Sequence, residues 1–459
     1  MSTPTPEIVL AIARAVRDAG GRALLVGGCV RDEILGLPPK DYDVEVFGLA
    51  SVRLRDVLEK LGRVDAVGES FAVYKIGGVD VSLPRRESKT GRGHKGFTVE
   101  GDPSLSIEDA ARRRDFTINA ISRDPLTNEL TDPFGGQRDL ANHRLRLVDA
   151  ATFGDDSLRV LRGLQFAARF NLTMDDETRA TCRRIPLDDL PAERVWGELE
   201  KLLLRAKRPS IGFSLGLELD VVHRLWPEIA ALIGCPQEPE WHPEGDVWIH
   251  TLMVIDQARR YIEDLDRGRS AAGMLGAITH DFGKPATTAF SDGRMRSIGH
   301  EEAGVPPATN FLDRLNVFTI DGFDVRKTVL GVVAHHLKPN AFYKSVTPVG
   351  DGAFRRLSQK VDLELLARVA RADCLGRTGN FDCSAMDWFL DRARALGVEH
   401  QPPKPLVMGR HLIELGVRPG PEMGVLLKQI YDRQLDGEIT TLEEGLDLAA
   451  VLVRGRQPI

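Results

Sequence analysis

Residues 24–47 read LLVGGCVRDEILGLPPKDYDVEVF. Leu24, Leu25 and Val26 form a short apolar run suited to a buried strand. Gly27-Gly28 ends it and leaves bare backbone N–H groups ahead of a helical segment, residues 30–35. A glycine turn feeding a helix N-terminus is a natural phosphate cradle. Arg31, in the first turn, adds a fork of donors suited to a triphosphate. Gly36 and Pro38-Pro39 stop the helix. Asp41-Tyr42-Asp43 then opens a second apolar run, residues 44–47. Residues two apart on a strand share a face, so Asp41 and Asp43 aim two carboxylates at one spot opposite the glycine turn. Such a pair repels unless a cation sits between. Mg²⁺ suits it, because it takes carboxylate oxygens together with substrate phosphates. The plainer reading is a turn glycine pair and two solvated aspartates.

The chain's 459 residues call for several domains. Charged residues at 28% and hydrophobic residues at 42% describe an ordinary globular composition. No apolar run approaches the ~20 residues of a membrane helix, and the N-terminus lacks the pattern of a signal peptide. The five cysteines are scattered without a Cys-x-x-Cys pair. That spacing argues against a disulfide framework or thiolate zinc site and for a reducing cytoplasm. A net charge of −6 is unusual for a nucleic-acid binder. Residues 159–208 carry a mild local excess, 11 Lys/Arg against 8 Asp/Glu.

Residues 7–19 have helical apolar spacing. Residues 64–83, broken at Gly68 and Gly77-Gly78, read as two strands of a hairpin. Asp80 in that stretch is either a third acidic group near the metal or a strand-end residue. Residues 85–96 (RRESKTGRGHKG) are polar and basic and read as a loop, either simply solvated or gripping phosphates or RNA. Residues 107–120 read as a helix and then a strand. Helical spacing dominates 156–204 and 211–233. The Pro/Gly-rich stretch 234–246 is the clearest boundary. A histidine-bearing helical region runs to about 396, a hinge (QPPKP) covers 401–405, and two amphipathic helices fill the tail.

Three further motifs follow the opening one in order. Residues 112–120 are RRRDFTINA, residues 155–159 are DDSLR with Arg162 after them, and residues 193–201 are ERVWGELEK. Together they resemble the nucleotidyltransferase superfamily, in the branch of bacterial class II CCA-adding enzymes and poly(A) polymerases. The resemblance covers residues 22 to about 228. It implies that Asp41 and Asp43 are catalytic and hold Mg²⁺. It also implies that Gly27, Gly28, Arg31, Arg114, Asp156, Arg159 and Arg162 bind nucleotide. The 3′ hydroxyl of tRNA would attack CTP or ATP and release pyrophosphate. Cytosine and adenine both present an amino donor beside a ring-nitrogen acceptor. Asp156 can accept from the first and Arg159 can donate to the second, a bidentate reading worth ~1–3 kcal/mol. On residue types alone, an N-cap aspartate with an i, i+3 ion pair explains the same spacing. The chain departs from the family at Asp155, in place of glutamate, and at Gln165, in place of an arginine. The second change bears on nucleotide choice.

His250, His280-Asp281 and the distant Asp373 resemble the HD phosphohydrolase pattern. Imidazole and carboxylates suit several divalent metals, and Mg²⁺ or a transition metal fits equally. His300 and His335-His336 are candidates to complete a second metal or to grip phosphate. With residues 241–244 (WHPE) upstream, this block resembles bacterial CCA enzymes carrying such a domain. There it implies 2′,3′-cyclic phosphodiesterase, 2′-nucleotidase or phosphatase activity.

The expected fold is α+β. A mixed-sheet nucleotidyltransferase head spans 1–150, a helical neck and body 151–235, an all-α HD domain 236–400 and a helical tail 401–459. Expected partners are the tRNA 3′ end, CTP and ATP, with no membrane, as a monomer or homodimer in the cytoplasm. The rivals are a poly(A) polymerase, an enzyme adding only CC or only A, and an HD phosphohydrolase whose N-terminal half only binds RNA.

Overall fold

The computed structural model describes residues 5–67, 73–89 and 97–455. The chain divides into two compact units. The first runs to Ala206 and resumes over Ile211–Leu225; the second takes Lys207–Ser210 and everything from Trp226 onward.

The first unit is built on a seven-stranded sheet. Its strands are β1 (Arg22–Val26), β2 (Tyr42–Phe47), β3 (Asp65–Val67), β4 (Val73–Ile76), β5 (Val79–Ser82), β6 (Ser122–Arg123) and β7 (Leu130–Thr131). Their order is β3-β4-β5-β2-β1-β6-β7. β2 runs antiparallel to β1 and parallel to β5, so the sheet is mixed. The central strands are buried on both faces: Leu24, Leu25, Val44 and Val46 are shielded almost completely. This is why residues 24–26 lack polar alternation; in 44–47 the one polar residue, Glu45, is buried too and is paired with Arg113 and Arg114. Helix α1 (Glu7–Asp18) lays Val9, Ile12, Ala13 and Val16 toward the core, the stripe its apolar spacing predicts.

Three sequence expectations change here. Residues 64–83 form three strands rather than two, with the β4–β5 hairpin turning at Gly77-Gly78; Gly68 lies outside the described residues. Residues 85–89 form a strand paired with Phe97–Gly101, so the basic segment starts as a ribbon and not a loop, and 90–96 lie outside the described residues. Residues 116–120 do not continue as a strand. Phe116 makes an isolated bridge to Leu147, and Thr117–Asn119 is a 3₁₀ turn. The polar side chains explain this. Asp115 accepts from the Phe116 N–H at 2.8 Å and from Asn119 Nδ2 at 2.9 Å, while Thr117 donates to Asp139 at 2.6 Å. Side-chain bonds of this kind compete with a sheet ladder for the backbone.

Beyond the sheet the first unit is helical, with helices Leu158–Phe170, Asp176–Arg184 and Ala192–Arg205. In the second unit, helix Arg267–Thr279 is buried along almost its whole length. Its alanines and glycines let neighbouring helices Val247–Arg260, Val325–His335 and Leu363–Leu375 close around it. The tail contains three helices, Gly409–Glu414, Pro421–Asp436 and Leu442–Arg454, rather than two. They share a core of Val407, Leu412, Leu426, Ile430 and Ala449. Arg355 donates to the Leu435 carbonyl at 3.1 Å, tying the tail to the helix Asp351–Ser358.

Cys374 and Cys383 form a disulfide, with Cα atoms 6.0 Å apart. The cysteine spacing argues against a disulfide framework, and this one pair is what it does not anticipate. Cys374 ends one helix and Cys383 caps the next, so the fold supplies a proximity that their separation in sequence does not advertise. Cys29, Cys182 and Cys235 are buried free thiols. Among the described residues, no helix is long and apolar enough to cross a membrane.

Candidate functional sites

In the first unit, β1 delivers Gly27 to the mouth of a cavity of about 470 Å³. Gly27 has φ 76°. Its positive φ favours glycine, and a Cβ there would lie 2.8 Å from Arg114 Nη1 and push that guanidinium aside. The turn feeds helix α2 (Gly28–Ile34). Gly28, Arg31, Asp43, Arg114, Asp156, Arg159 and Arg162 line the same cavity. The structure thus brings together all of the expected nucleotide-site residues except Asp41, which stands one residue before β2 and is absent from the lining.

Asp43 pairs in register with Asp80 across the parallel β2–β5 ladder. Burial raises the Asp43 pKa, Asp80 and Asp41 raise it further, and Arg114 opposes them. Asp80 is ion-paired with Lys75 at 3.0 Å. Of these three carboxylates only Asp43 lines the cavity, and its repulsion by Asp80 and Asp41 suits a nearby divalent cation.

The arginines differ sharply in how they are held. Arg31 is only 5% exposed. Its Nη1 donates to Asn119 at 2.6 Å, Nε donates to Asp32, and its guanidinium lies 4.4 Å from the Phe170 ring centroid. Arg162 donates to Asp115 at 2.6 Å. Burial opposes the Asp115 charge, but Arg162 and the bonds from Asn119 and Phe116 hold its carboxyl below the usual range. Arg114 is held by Glu45 at 3.7 Å, and Glu45 also takes Arg113 at 2.8 Å.

Asp156 and Arg159 do not pair with each other. Asp156 accepts from Arg194 at 2.9 Å, while Arg159 donates to the carbonyls of Arg113 at 2.6 Å and Thr152 at 3.1 Å. Asp156 precedes helix Leu158–Phe170 in an extended conformation; its Oδ1 accepts from the Leu158 N–H at 3.2 Å and its carbonyl from the Arg159 N–H at 3.0 Å, but its carboxylate turns to Arg194 and not to Arg159. Gln165 is buried outside the lining, accepting from Arg169 at 3.0 Å. Its lack of charge therefore leaves the cavity walls unchanged. Asp115, Asn119 and Arg194 line this cavity although sequence reasoning gave them no role in it. Glu45, which holds Arg113 and Arg114 from behind the lining, carries a signal: an acid within the apolar run 44–47.

The second unit holds a tighter cluster. His250 is fully buried, with Nδ1 2.8 Å from Glu244 and Nε2 3.1 Å from Asp373. Burial lowers the His250 pKa, but these carboxylates outweigh it and raise the net value. His280, His300 and His336 each place Nδ1 against a backbone carbonyl, those of Ala277 at 2.9 Å, Ser297 at 2.7 Å and Val333 at 3.0 Å. A carbonyl only accepts, so Nδ1 carries the proton and Nε2 offers a lone pair. The three Nε2 atoms converge on Asp281 at 3.1, 3.5 and 3.9 Å. His300 Nε2 and His336 Nε2 stand 3.1 Å apart, two lone pairs face to face. Burial pushes His336 down to about 3, so it stays neutral. Buried His280 Nε2 makes no hydrogen bond, and Asp281 Oδ2 has only close charged neighbours. This donor set, with its Nδ1–carbonyl supports, fits metal ligation. Lys284 lies 2.8 Å from Asp281 and Arg377 3.4 Å from Asp373.

All four expected HD residues meet here. His300 and His336 join them, while His335 lies outside the cluster. Gly283 shows why the motif continues with glycine: a Cβ would lie 2.0 Å from the His300 carbonyl oxygen. His242 and Glu244 form the outer support.

The Poly A polymerase head domain model matches residues 23–146, and the HD domain model matches 247–378. The multifunctional CCA protein of Stenotrophomonas maltophilia (strain K279a) is 41% identical over 302 residues, 64% of this chain and 71% of that protein. That of Xanthomonas campestris pv. campestris (strain B100) is 37% identical over 371 residues, 78% of this chain and 85% of its own. Among solved structures, the Bacillus stearothermophilus CCA-adding enzyme in complex with CTP aligns with TM-score 0.67 at 20% identity, covering 99% of each chain. The Thermotoga maritima CCA-adding enzyme complexed with tRNA_CCA aligns at 0.56 and 19% identity, covering 97% of this chain and 95% of that one. At such identities the structural likeness is one of fold. The relatives decide the family: this chain belongs to the multifunctional CCA proteins, enzymes with a nucleotidyltransferase head and an HD domain.

Proposed function

We propose that the head adds C and A to the 3′ end of tRNA from CTP and ATP, and that the HD domain is a metal-dependent phosphohydrolase. The observation that carries the first part is the single cavity joining Gly27-Gly28, Asp43 and Arg114 to Asp156 and Arg159. Asp41 and Asp43, with Asp80 beside them, would hold Mg²⁺, which when bound supplies activation of the attacking hydroxyl and charge relief for pyrophosphate. The backbone at Gly27-Gly28 leaves room for phosphate to approach, and Arg114 presents its guanidinium there. Arg31 and Arg162, committed to Asn119 and Asp115, fix the walls and add positive potential. Asp156 accepts from the exocyclic amino group of cytosine or adenine. Arg159 keeps further N–H groups beyond those spent on carbonyls and donates to the ring nitrogen. A carbonyl at the amino position, as in uracil or guanine, would face the Asp156 carboxylate unpaired.

In the HD domain, His250, His280, Asp281 and Asp373, joined by His300 and His336, would hold one or more divalent ions, which when bound polarise a phosphoryl group. Lys284 and Arg377 stand at the same cavity and suit phosphate oxygens. The substrates this reading favours are 2′,3′-cyclic phosphates and 2′-phosphates at nucleotide ends.

The head is tested by incubating tRNA lacking its last three nucleotides with each nucleoside triphosphate and sequencing the product. Ordered C, C, A addition is expected. A run of A, or arrest after CC, supports instead the poly(A) or partial enzyme.

A further inference from the structure

The cavity over the histidine cluster, about 260 Å³, adjoins a second of about 320 Å³. They share Glu238, Trp241, Met295 and Ser297 in their walls. The metal-binding fit explains only the first. The second is walled by an antiparallel hairpin, Thr288–Ser291 and Arg294–Ser297. Glu238 accepts from the Met295 N–H at 2.9 Å and pins the hairpin beside the Trp241 turn. Trp241 stays 46% exposed, although an indole beside a built cavity has ample apolar surface to bury. Arg294 and Arg296, two apart on one strand, share a face. Their ion pairs, to Glu240 at 3.3 Å and Asp292 at 3.5 Å, are solvent-exposed. Such pairs hold weakly and yield to a better anion.

We propose that Trp241, Arg294 and Arg296 form a nucleotide subsite of the HD centre. The indole stacks the base of the nucleotide whose phosphate enters the histidine cavity, and the guanidinium groups take the backbone phosphate of its neighbour. An open aromatic face beside paired cations is the usual platform for single-stranded nucleic acid, and it tolerates any base. The HD centre then selects RNA ends over small sugar phosphates. This assignment rests on the hydrolase reading of the HD domain.

The test uses the full-length chain loaded with divalent metal, with adenosine 2′-monophosphate and glycerol phosphate as alternative substrates. Trp241→Ala is expected to raise KM for the nucleotide about tenfold, a typical loss for one base–aromatic stack. Its kcat, and both constants for glycerol phosphate, stay unchanged; Trp241→Phe, which keeps a ring, recovers most of the loss. In a separate titration, adenosine 2′-monophosphate quenches tryptophan fluorescence in the wild type and loses that component in Trp241→Phe. Equal KM changes for both substrates, or none for either, would overturn the subsite. If the wild type hydrolyses neither substrate with any divalent metal, the hydrolase reading fails by itself. The quench then decides the subsite: its persistence in Trp241→Phe overturns the assignment.

Discussion

The two candidate centres solve the problem of holding charge in opposite ways. The head cavity is open and ringed by arginines, most of them pinned by a carboxylate or a carbonyl before any substrate arrives. The HD cluster is buried, and its histidines are oriented by backbone carbonyls so that lone pairs point inward. A mobile polyphosphate needs preset positive charge in an open cavity, because the site must release pyrophosphate and admit the next nucleotide. A metal needs converging donors and little else. The contrast teaches that arginines read as ligands in sequence can be structural in the fold, while histidines read as ligands keep their free nitrogens only if something else takes the other one.

Four perturbations sharpen this contrast. The largest is Asp43→Asn, expected to cut nucleotide addition on the order of 10³-fold while costing little urea stability, since its surroundings and the neighbouring Asp80 and Asp41 already disfavour its charge. Loss of folding instead of activity would show Asp43 to be structural. Next, His336→Ala removes a converging lone pair and should lower HD metal affinity at least ~100-fold, more than an outer-support change such as Glu244→Gln at ~10–100-fold. Elemental analysis after dialysis measures both, and equal occupancy in all variants would remove His336 from the ligand set.

Smaller is Arg162→Leu, which strands Asp115 as an unpaired buried carboxylate. The cost is about 3 kcal/mol, the low end for such pairs because Arg162 is a third exposed. Urea unfolding of the head reports it, and Asp115→Asn in the same background should restore part of the loss. Smallest is a pH effect in metal-free protein. His336 titrates near 6.5 when unfolded and is pushed down to about 3 when folded. Its folded pKa is the lower one, so the unfolded chain takes up the proton first. Stability therefore falls below pH 6.5, by about 1.4 kcal/mol per pH unit from this group. Bound metal should leave this slope in place, because a ligated Nε2 takes up no proton, while raising the stability as a whole; a metal-induced gain in stability that is just as large in His336→Ala would place His336 outside the site.

Much of the head was legible because its signals are local. The glycine turn, its helix and Asp43 all lie within residues 24–47, and strand and helix periods carry them; Asp41, one residue ahead of β2, does not reach the cavity lining, so the two-residue period delivered only Asp43. The HD residues were legible as types, but their second half, His300 and His336, needed the fold to separate His336 from His335. Adjacent histidines on a helix end differ by about 100° in direction, and only packing tells which one faces inward. The partners of Arg31, Arg162 and Asp156 were not legible, since Asn119, Asp115 and Arg194 lie far away in sequence. The strand expected at residues 116–120 failed because Asp115, Thr117 and Asn119 spend their side chains on backbone and neighbours. The disulfide was invisible because no spacing rule covers two cysteines joined by adjacent helix ends.

The claim beneath all of this is that one chain carries two separate chemistries. The most direct measurement assays wild type, Asp43→Asn and Asp281→Asn, each for tRNA end addition and for nucleotide phosphate hydrolysis in the same preparation. The account predicts that Asp43→Asn loses addition and keeps hydrolysis, and that Asp281→Asn does the reverse. Both activities falling together in either variant would contradict it.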